Sequence, residues 1–296
     1  MIRDFFRKHD IRCEENVNLK KCNTYRLDVM CDYMVFPNSY EKVAKVVKYC
    51  KEKGIRFMFL GNGSNVIFKC NRFAGVIIRL SEFNDIYVED NIVIAGGGCS
   101  LVTLAARTIS EGLTGLEFAG AIPGEVGASI AMNAGAYNED MAGVLSKVLI
   151  VNDKNRIVVW EADGIDFSYR DSFFKGSKDF FVVAAEFTLK RGDKDKMHEV
   201  VKRRIIKRSE TQPLEFPSAG SVFRNPEGLH AGKLIEDLGL KGFSIGGAKI
   251  SEKHANFIIN AGGATGEDIV NLIEFVRGKV KEKYDIDLIL EQVIIE

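Results

Sequence analysis

The sequence is poor in the residues that usually announce a metal or redox centre. It has four histidines in 296 residues, and none of its six cysteines forms a C-x-x-C pair. All six cysteines (Cys13, Cys22, Cys31, Cys50, Cys70, Cys99) lie in the first third, far from most of the histidines. A zinc site or redox dithiol is therefore not expected, and no metal is assigned. Without signs of an oxidising compartment the cysteines are read as thiols, most of them buried. No charge sign is in excess either: Lys+Arg and Asp+Glu both number 41. A general nucleic-acid binder would need a basic surplus. No apolar run approaches membrane-spanning length, and the charged start of the chain lacks the apolar core of a signal peptide. The expectation is a cytoplasmic protein with no nucleic-acid or membrane partner.

What is present is ordinary globular material, 46% apolar and 28% charged, long enough for two or three domains. Residues 39–53 read as a helix: Val43, Val46, Val47 and Cys50 share a face, Ser39 caps it and Gly54 ends it. Strands are expected at 55–60, 76–80 and 92–95, with a helix at 101–111. Further strands are expected at 148–152, 157–161 and 180–189. The polar stretch 191–196 marks the favoured domain boundary, and a basic helix follows at 197–210. Near the end, a short helix at 231–238 and a strand at 255–260 precede a long helix at 266–284. That helix has an apolar face of Ile269, Leu272, Ile273, Val276 and Val280, and a capping box from Thr265 and Asp268. A last strand at 288–295 carries Glu291.

Three loops stand out. Leu60-Gly61-Asn62-Gly63-Ser64-Asn65 follows a strand, where backbone N–H groups can converge on an anion. Ile122-Pro123-Gly124-Glu125-Val126-Gly127 is a second glycine loop that looks built for phosphate. Ser218-Ala219-Gly220-Ser221-Val222-Phe223-Arg224-Asn225-Pro226 has little helix or strand character and suits a loop held against a ligand. Taken singly, each has a plainer explanation. The first loop has neither Walker A nor Rossmann spacing and could be a glycine turn. Arg170 precedes Asp171 and could form a structural ion pair, or its planar fork could meet a carboxylate or oxyanion. Ser221 could be a turn serine. Glu291 could sit on an exposed strand face, or act as a proton donor with a raised pKa. Lys253 and His254 could be surface residues or, with Arg224, diphosphate ligands.

Taken together with Thr24-Tyr25-Arg26, Asn133-Ala134-Gly135-Ala136-Tyr137, Tyr169-Arg170-Asp171-Ser172, His254-Ala255-Asn256-Phe257-Ile258-Ile259-Asn260 and Leu290-Glu291, these loops form an ordered set. From about residue 23 to the C-terminus the chain resembles the UDP-N-acetylenolpyruvoylglucosamine reductase family of flavoenzymes. The resemblance implies an α+β chain. Its FAD-binding domain would be of the vanillyl-alcohol-oxidase (PCMH) type, at 1–192, with subdomains of about 1–70 and 71–192. An α+β substrate-binding domain would follow at 193–296. It implies noncovalent FAD, with Gly61, Asn62, Gly63, Ser64 and Asn65 at the pyrophosphate. Ile122, Pro123, Gly124, Val126, Gly127, Asn133, Ala134, Gly135 and Ala136 would lie along the cofactor. It implies NADPH as hydride donor, replaced in the same pocket by the UDP-sugar, with Tyr169, Arg224, Asn225, Lys253 and His254 on the substrate. Flavin N5 would deliver hydride to the terminal enolpyruvyl carbon. Arg170 and Glu291 would stabilise the enolate, and Ser221 would protonate the neighbouring carbon.

The short stretch between Tyr169 and Arg191 suits the compact type II subclass, which lacks an inserted tyrosine loop. Three positions depart from the family. Leu27-Asp28-Val29-Met30 stands where a Gly-Gly pair is expected, Ala128 replaces a glycine, and Glu125 replaces a small or hydroxyl residue. Two other functions fit less well. An alcohol or sugar oxidase on the same fold would often tether FAD through a histidine near the first glycine loop, and His9, His198, His230 and His254 are elsewhere. A non-catalytic UDP-sugar sensor would not need Ser221, Arg170 and Glu291 together.

Overall fold

The computed structural model describes residues 2–296, and they divide into two units. The first comprises residues 2–16, 32–61 and 74–206, and the second comprises 17–31, 62–73 and 207–296. The division differs from the expected 1–192 and 193–296. The change of unit falls late in the helix Lys194–Thr211, past the polar 191–196 stretch, and two early segments belong with the C-terminal third. A polar stretch marks where the chain is exposed; it does not reveal which distant segments it packs with.

The first unit holds an antiparallel five-stranded sheet, in the order Ile157–Glu161, Leu145–Val151, Phe181–Thr188, Ile92–Gly96, Ile86–Glu89. The helix Leu101–Ser110 is capped by Ser100, whose side chain accepts from Thr103 N. It turns Leu101, Leu104 and Ala105 into a core shared with Val148, Ile150, Val182 and Phe187. The unit also holds most of a four-stranded sheet in the order Arg12–Asn18, Met30–Phe36, Arg72–Ile78, Phe57–Phe59. The helix Tyr40–Glu52, capped by Ser39, buries the expected Val43, Val46, Val47 and Cys50 in a core with Val76 and Ile78. Each such fully buried aliphatic side chain contributes about 1.5–3 kcal/mol, so this face, not helix propensity, holds the helix in place. No disulfide links the six cysteines, and Cys31, Cys50 and Cys99 are buried. Burial pushes the Cys50 thiol up to about 12.

The second unit is built around the helix Gly266–Tyr284. Ile269, Leu272, Ile273, Val276 and Val280 are buried, as their spacing requires, and the Thr265–Asp268 capping box is formed in both directions. The helix lies against Ser244–Ile245 and Ala248–Ile250, two strands of a three-stranded antiparallel sheet completed by Ile258–Asn260. It also lies against Val66–Phe68, which pairs in parallel with Val293–Ile295. Gly266 opens the helix where a Cβ would run into the Phe68 carbonyl, so only glycine allows this approach. The expected strand at 288–295 is shorter, Val293–Ile295, with a separate bridge at Leu290.

Candidate active site

In the first glycine loop, Gly63 has φ +63°, and a Cβ there would collide with the Cys22 carbonyl and Asn23 Cα. Its carbonyl accepts from Thr24 N (3.2 Å) and Thr24 Oγ1 (3.3 Å), which ties the loop to the segment around Tyr25. The amides of Gly61, Gly63 and Ser64 donate to no protein group among the described residues, although Gly63 is buried. Buried amides are almost always paired. An anion with several acceptor oxygens, such as the FAD diphosphate, fits donors of this kind.

The second glycine loop corrects the expectation of a phosphate cradle. Gly124 N donates to Ile122 O, Val126 N to Cys99 O and Gly127 N to Gly97 O, at 2.8–2.9 Å. These amides are already paired, so the loop can form a wall but not a nest of donors. Gly127 is glycine because a Cβ would meet Val182 O at 2.8 Å. The next segment is similarly held from within. Asn133 is 2% exposed, and its side chain bonds Asp140 Oδ2, Ser168 O and Ala142 N. Ala134 N donates to Ser129 O, and Gly135–Ala136 pair with Glu139–Asp140. Asn133 therefore sets the path of the small-residue segment through its side chain.

Tyr169 and Arg170 form the two-residue tip of a hairpin between Phe167–Ser168 and Asp171–Ser172. Arg170 is half-buried at φ +57°, a conformation that costs energy in a residue with a Cβ and recurs where function holds a side chain in place. Its guanidinium carbon lies 5.5 Å from the Tyr169 ring centroid. Ser172 Oγ donates to Ala131 O at 2.7 Å and accepts from Phe174 N, which anchors the hairpin. Asp171 Oδ1 accepts from Ser172 N, so this carboxylate helps to shape the turn.

In the second unit the Ser221 loop runs beside the strand that carries Glu291. Phe223 bridges Leu290 in antiparallel register, Glu291 N donates to Val222 O (2.8 Å), and Arg224 N donates to Ile289 O (2.9 Å). Two buried amides lock the pair. Asn256 receives Phe223 N on Oδ1 and donates Nδ2 to Phe223 O. Gln292, 3% exposed, donates Nε2 to the carbonyls of Ala219, Gly220 and Ser221 at 3.0–3.4 Å. Its Oε1 accepts from Tyr25 Oη at 3.0 Å. Burial pushes the Tyr25 phenol well above its usual range, so it remains a donor. Asn65 joins the same strand: its Nδ2 donates to Glu291 O and its carbonyl accepts Val293 N. Ser221, Glu291 and Asn65 are thus brought together, with Ser221 and Glu291 both half-buried.

The predicted substrate residues are held differently. Asn225 Oδ1 accepts Ala231 N and starts the helix Ala231–Asp237. Lys253 Nζ donates to Ser209 O at 2.6 Å and lies 3.9 Å from Glu215. His254 accepts Asn256 N on Nδ1, and burial lowers its pKa below the usual value, favouring the neutral ring. The sequence reading missed Gln292 and Arg79, and gave Asn256 only within the His254–Asn260 motif, without a role. The signal for Gln292 was available: it is a lone amide in the otherwise apolar run that follows Glu291.

Residues 212–295 match the family model for the UDP-N-acetylenolpyruvoylglucosamine reductase C-terminal domain, and residues 31–158 match an FAD binding domain. The reductase of that name from Clostridium botulinum (strain Alaska E43 / Type E3) is 42% identical over 286 residues, covering 97% of this chain and 94% of the relative. The one from Caldanaerobacter subterraneus subsp. tengcongensis is 40% identical, covering 93% and 91%. The crystal structure of the Thermus caldophilus reductase superposes with a TM-score of 0.82 at 29% identity, covering 97% of this chain and all of that one. With two domain models in the expected order and relatives matched nearly end to end, the chain belongs to the UDP-N-acetylenolpyruvoylglucosamine reductase family.

Proposed function

We propose that this FAD-dependent oxidoreductase reduces the enolpyruvyl ether of UDP-N-acetylglucosamine to the lactyl ether. The product, UDP-N-acetylmuramate, serves peptidoglycan precursor synthesis, and NADPH is the reductant. The chemistry a bound flavin supplies is hydride transfer, accepted from NADPH and passed to the terminal carbon of the substrate double bond. The protein's own residues do the rest. Loop 61–65 offers amides to the diphosphate, while 122–127 and 133–136 form the cofactor's walls. Ser221 Oγ holds the proton destined for the carbon next to the carboxylate. Arg170 by its positive charge, and Glu291 by a hydrogen bond or proton that it donates, stabilise the charge that builds toward that carboxylate, which an alkyl carbanion could not carry unaided. Tyr169, Arg224, Asn225, Lys253 and His254 border the substrate, Asn225 and Lys253 through the backbone they fix.

The observation that carries this reading is the pairing of the Ser221 loop with the Glu291 strand. It delivers a hydroxyl and a carboxylate from adjacent backbones that Gln292 and Asn256 hold rigid. No helix among the described residues is long and apolar enough to cross a membrane. We place the reaction in the cytoplasm and the enzyme as a monomer. The test is an anaerobic visible spectrum: NADPH should bleach the flavin band and the enolpyruvyl substrate should restore it. Bleaching without return would reject the substrate, and return at full rate in Ser221→Ala would reject the serine as proton donor.

A further inference from the structure

We propose that Arg79 is a positioning residue for the flavin diphosphate, and that Glu125 holds it to that task. Arg79 follows the strand Arg72–Ile78, and its amide is fixed on Val35 O. Its side chain is 14% exposed and reaches in two directions. Nη1 donates to Gly61 O at 2.7 Å, and Nη2 meets Glu125 Oε1 at 3.0 Å. Glu125 is fixed in turn: it bridges Ser100, its carbonyl accepts Ser129 N, and its side chain is 9% exposed. A run of contacts therefore passes from the second glycine loop, through one guanidinium, to the first.

The consequence follows from the planarity of the peptide. In a trans peptide the C=O of one residue and the N–H of the next point in opposite directions. With the Gly61 carbonyl tied to Arg79, the Asn62 N–H is directed away from Arg79, at the point where the chain enters the loop. Both terminal nitrogens of Arg79 thus have a protein partner, the Gly61 carbonyl on one and the Glu125 carboxylate on the other. Glu125 also resolves a conflict. An unpaired arginine would leave the Gly61 carbonyl for the phosphates, and an unpaired carboxylate this close to the loop would repel them. Paired, the two are neutral, and the guanidinium stays on Gly61.

The inference rests on the reading that loop 61–65 takes the diphosphate, and the test separates the two. Removing one partner strands a buried charge, whereas replacing both with apolar residues is often tolerated. Arg79→Met/Glu125→Met is therefore the informative variant, with Glu125→Gln as the conservative one. FAD dissociation constants of the full chain are measured by flavin fluorescence, with riboflavin as the phosphate-free control. Amide resonances of Gly61, Asn62, Gly63 and Ser64 are followed as FAD is added. The double variant should bind FAD about 10- to 100-fold more weakly, the loss of one hydrogen bond to a charged group. Its riboflavin affinity and flavin-free unfolding temperature should match the wild type, and the Asn62 amide should lose its response to FAD. Glu125→Gln, which keeps an acceptor but not the charge, should fall between the wild type and the double variant. Wild-type loop amides that ignore FAD would remove the diphosphate reading. Loop amides that respond equally in wild type and double variant, or an equal loss of FAD and riboflavin affinity, would overturn the role of Arg79.

Discussion

Replacing Gln292 with Leu should damage both the stability of the chain and the precision of its serine, by amounts the contacts allow one to work out. The amide is 3% exposed and serves four groups: Tyr25 Oη, and the carbonyls of Ala219, Gly220 and Ser221. Tyr25 is 0% and Ala219 2% exposed, so their polar atoms cannot turn to water when the amide is gone. Each buried group left without a partner costs about 1–3 kcal/mol. Gly220 and Ser221 are half-buried and can be hydrated, so they add little. The expected loss is about 2–6 kcal/mol in urea unfolding. Tyr25→Phe orphans only Gln292 Oε1 and should cost about 1–3 kcal/mol. The two changes remove the same bond, so the double variant should fall short of their sum by about 1 kcal/mol. The kinetic prediction separates the two ends of the amide. Tyr25→Phe keeps the Nε2 bonds to the Ser221 loop and should keep kcat, whereas Gln292→Leu frees that loop and should lower kcat at least about tenfold. A Gln292→Leu protein within 1 kcal/mol of the wild type, or one with unchanged kcat, would refute the argument.

Ser221→Ala should lower turnover by about 10²- to 10⁴-fold while leaving NADPH reduction of the flavin intact, as stopped-flow absorbance of the two half-reactions would show. Thr265→Ala removes one side of the capping box and should cost about 1 kcal/mol in urea unfolding, with no change in KM. Gly63→Ala meets both a left-handed φ and the Cys22 carbonyl, and should abolish flavin retention on gel filtration. The buried His254 titrates below its ordinary value of 6.5, so the unfolded chain takes up a proton first as the pH falls. Stability should therefore decline from about pH 6.5 down to the lowered folded value, and His254→Gln should flatten that part of the urea-midpoint profile.

The sequence was most informative where one local pattern decides the outcome. The helix at 266–284 was expected residue for residue, because a capping box and a 3.6-residue apolar stripe agree. Val43, Val46, Val47 and Cys50 were placed on the buried face for the same reason. The second glycine loop misled because glycine has two uses. It can expose amides to a ligand or let backbones pack closely, and the choice depends on Gly97 and Val182, which are distant in sequence. Arg79 was invisible for a related reason. It ends an ordinary strand, and its role depends on a Gly61 carbonyl and a Glu125 carboxylate that no spacing rule connects. The pairing of Ser221 with Glu291 was reached only through resemblance, since the two are brought together by a single bridge between irregular segments.

The pairing of Val293–Ile295 with Val66–Phe68 also bears on how the chain is made. The second unit cannot be completed until its last few residues have been synthesised. Tyr25 has no Gln292, and Val66–Phe68 has no parallel neighbour, until the ribosome has added more than two hundred further residues. At cellular rates of translation that delay is on the order of ten to forty seconds. During it the exposed edge of Val66–Phe68 and the apolar segment around Tyr25 must be kept from pairing elsewhere. An isolated 212–295 fragment, the span of the family's C-terminal domain model, would lack both partners and should fail to fold unless residues 17–31 and 62–73 are supplied with it.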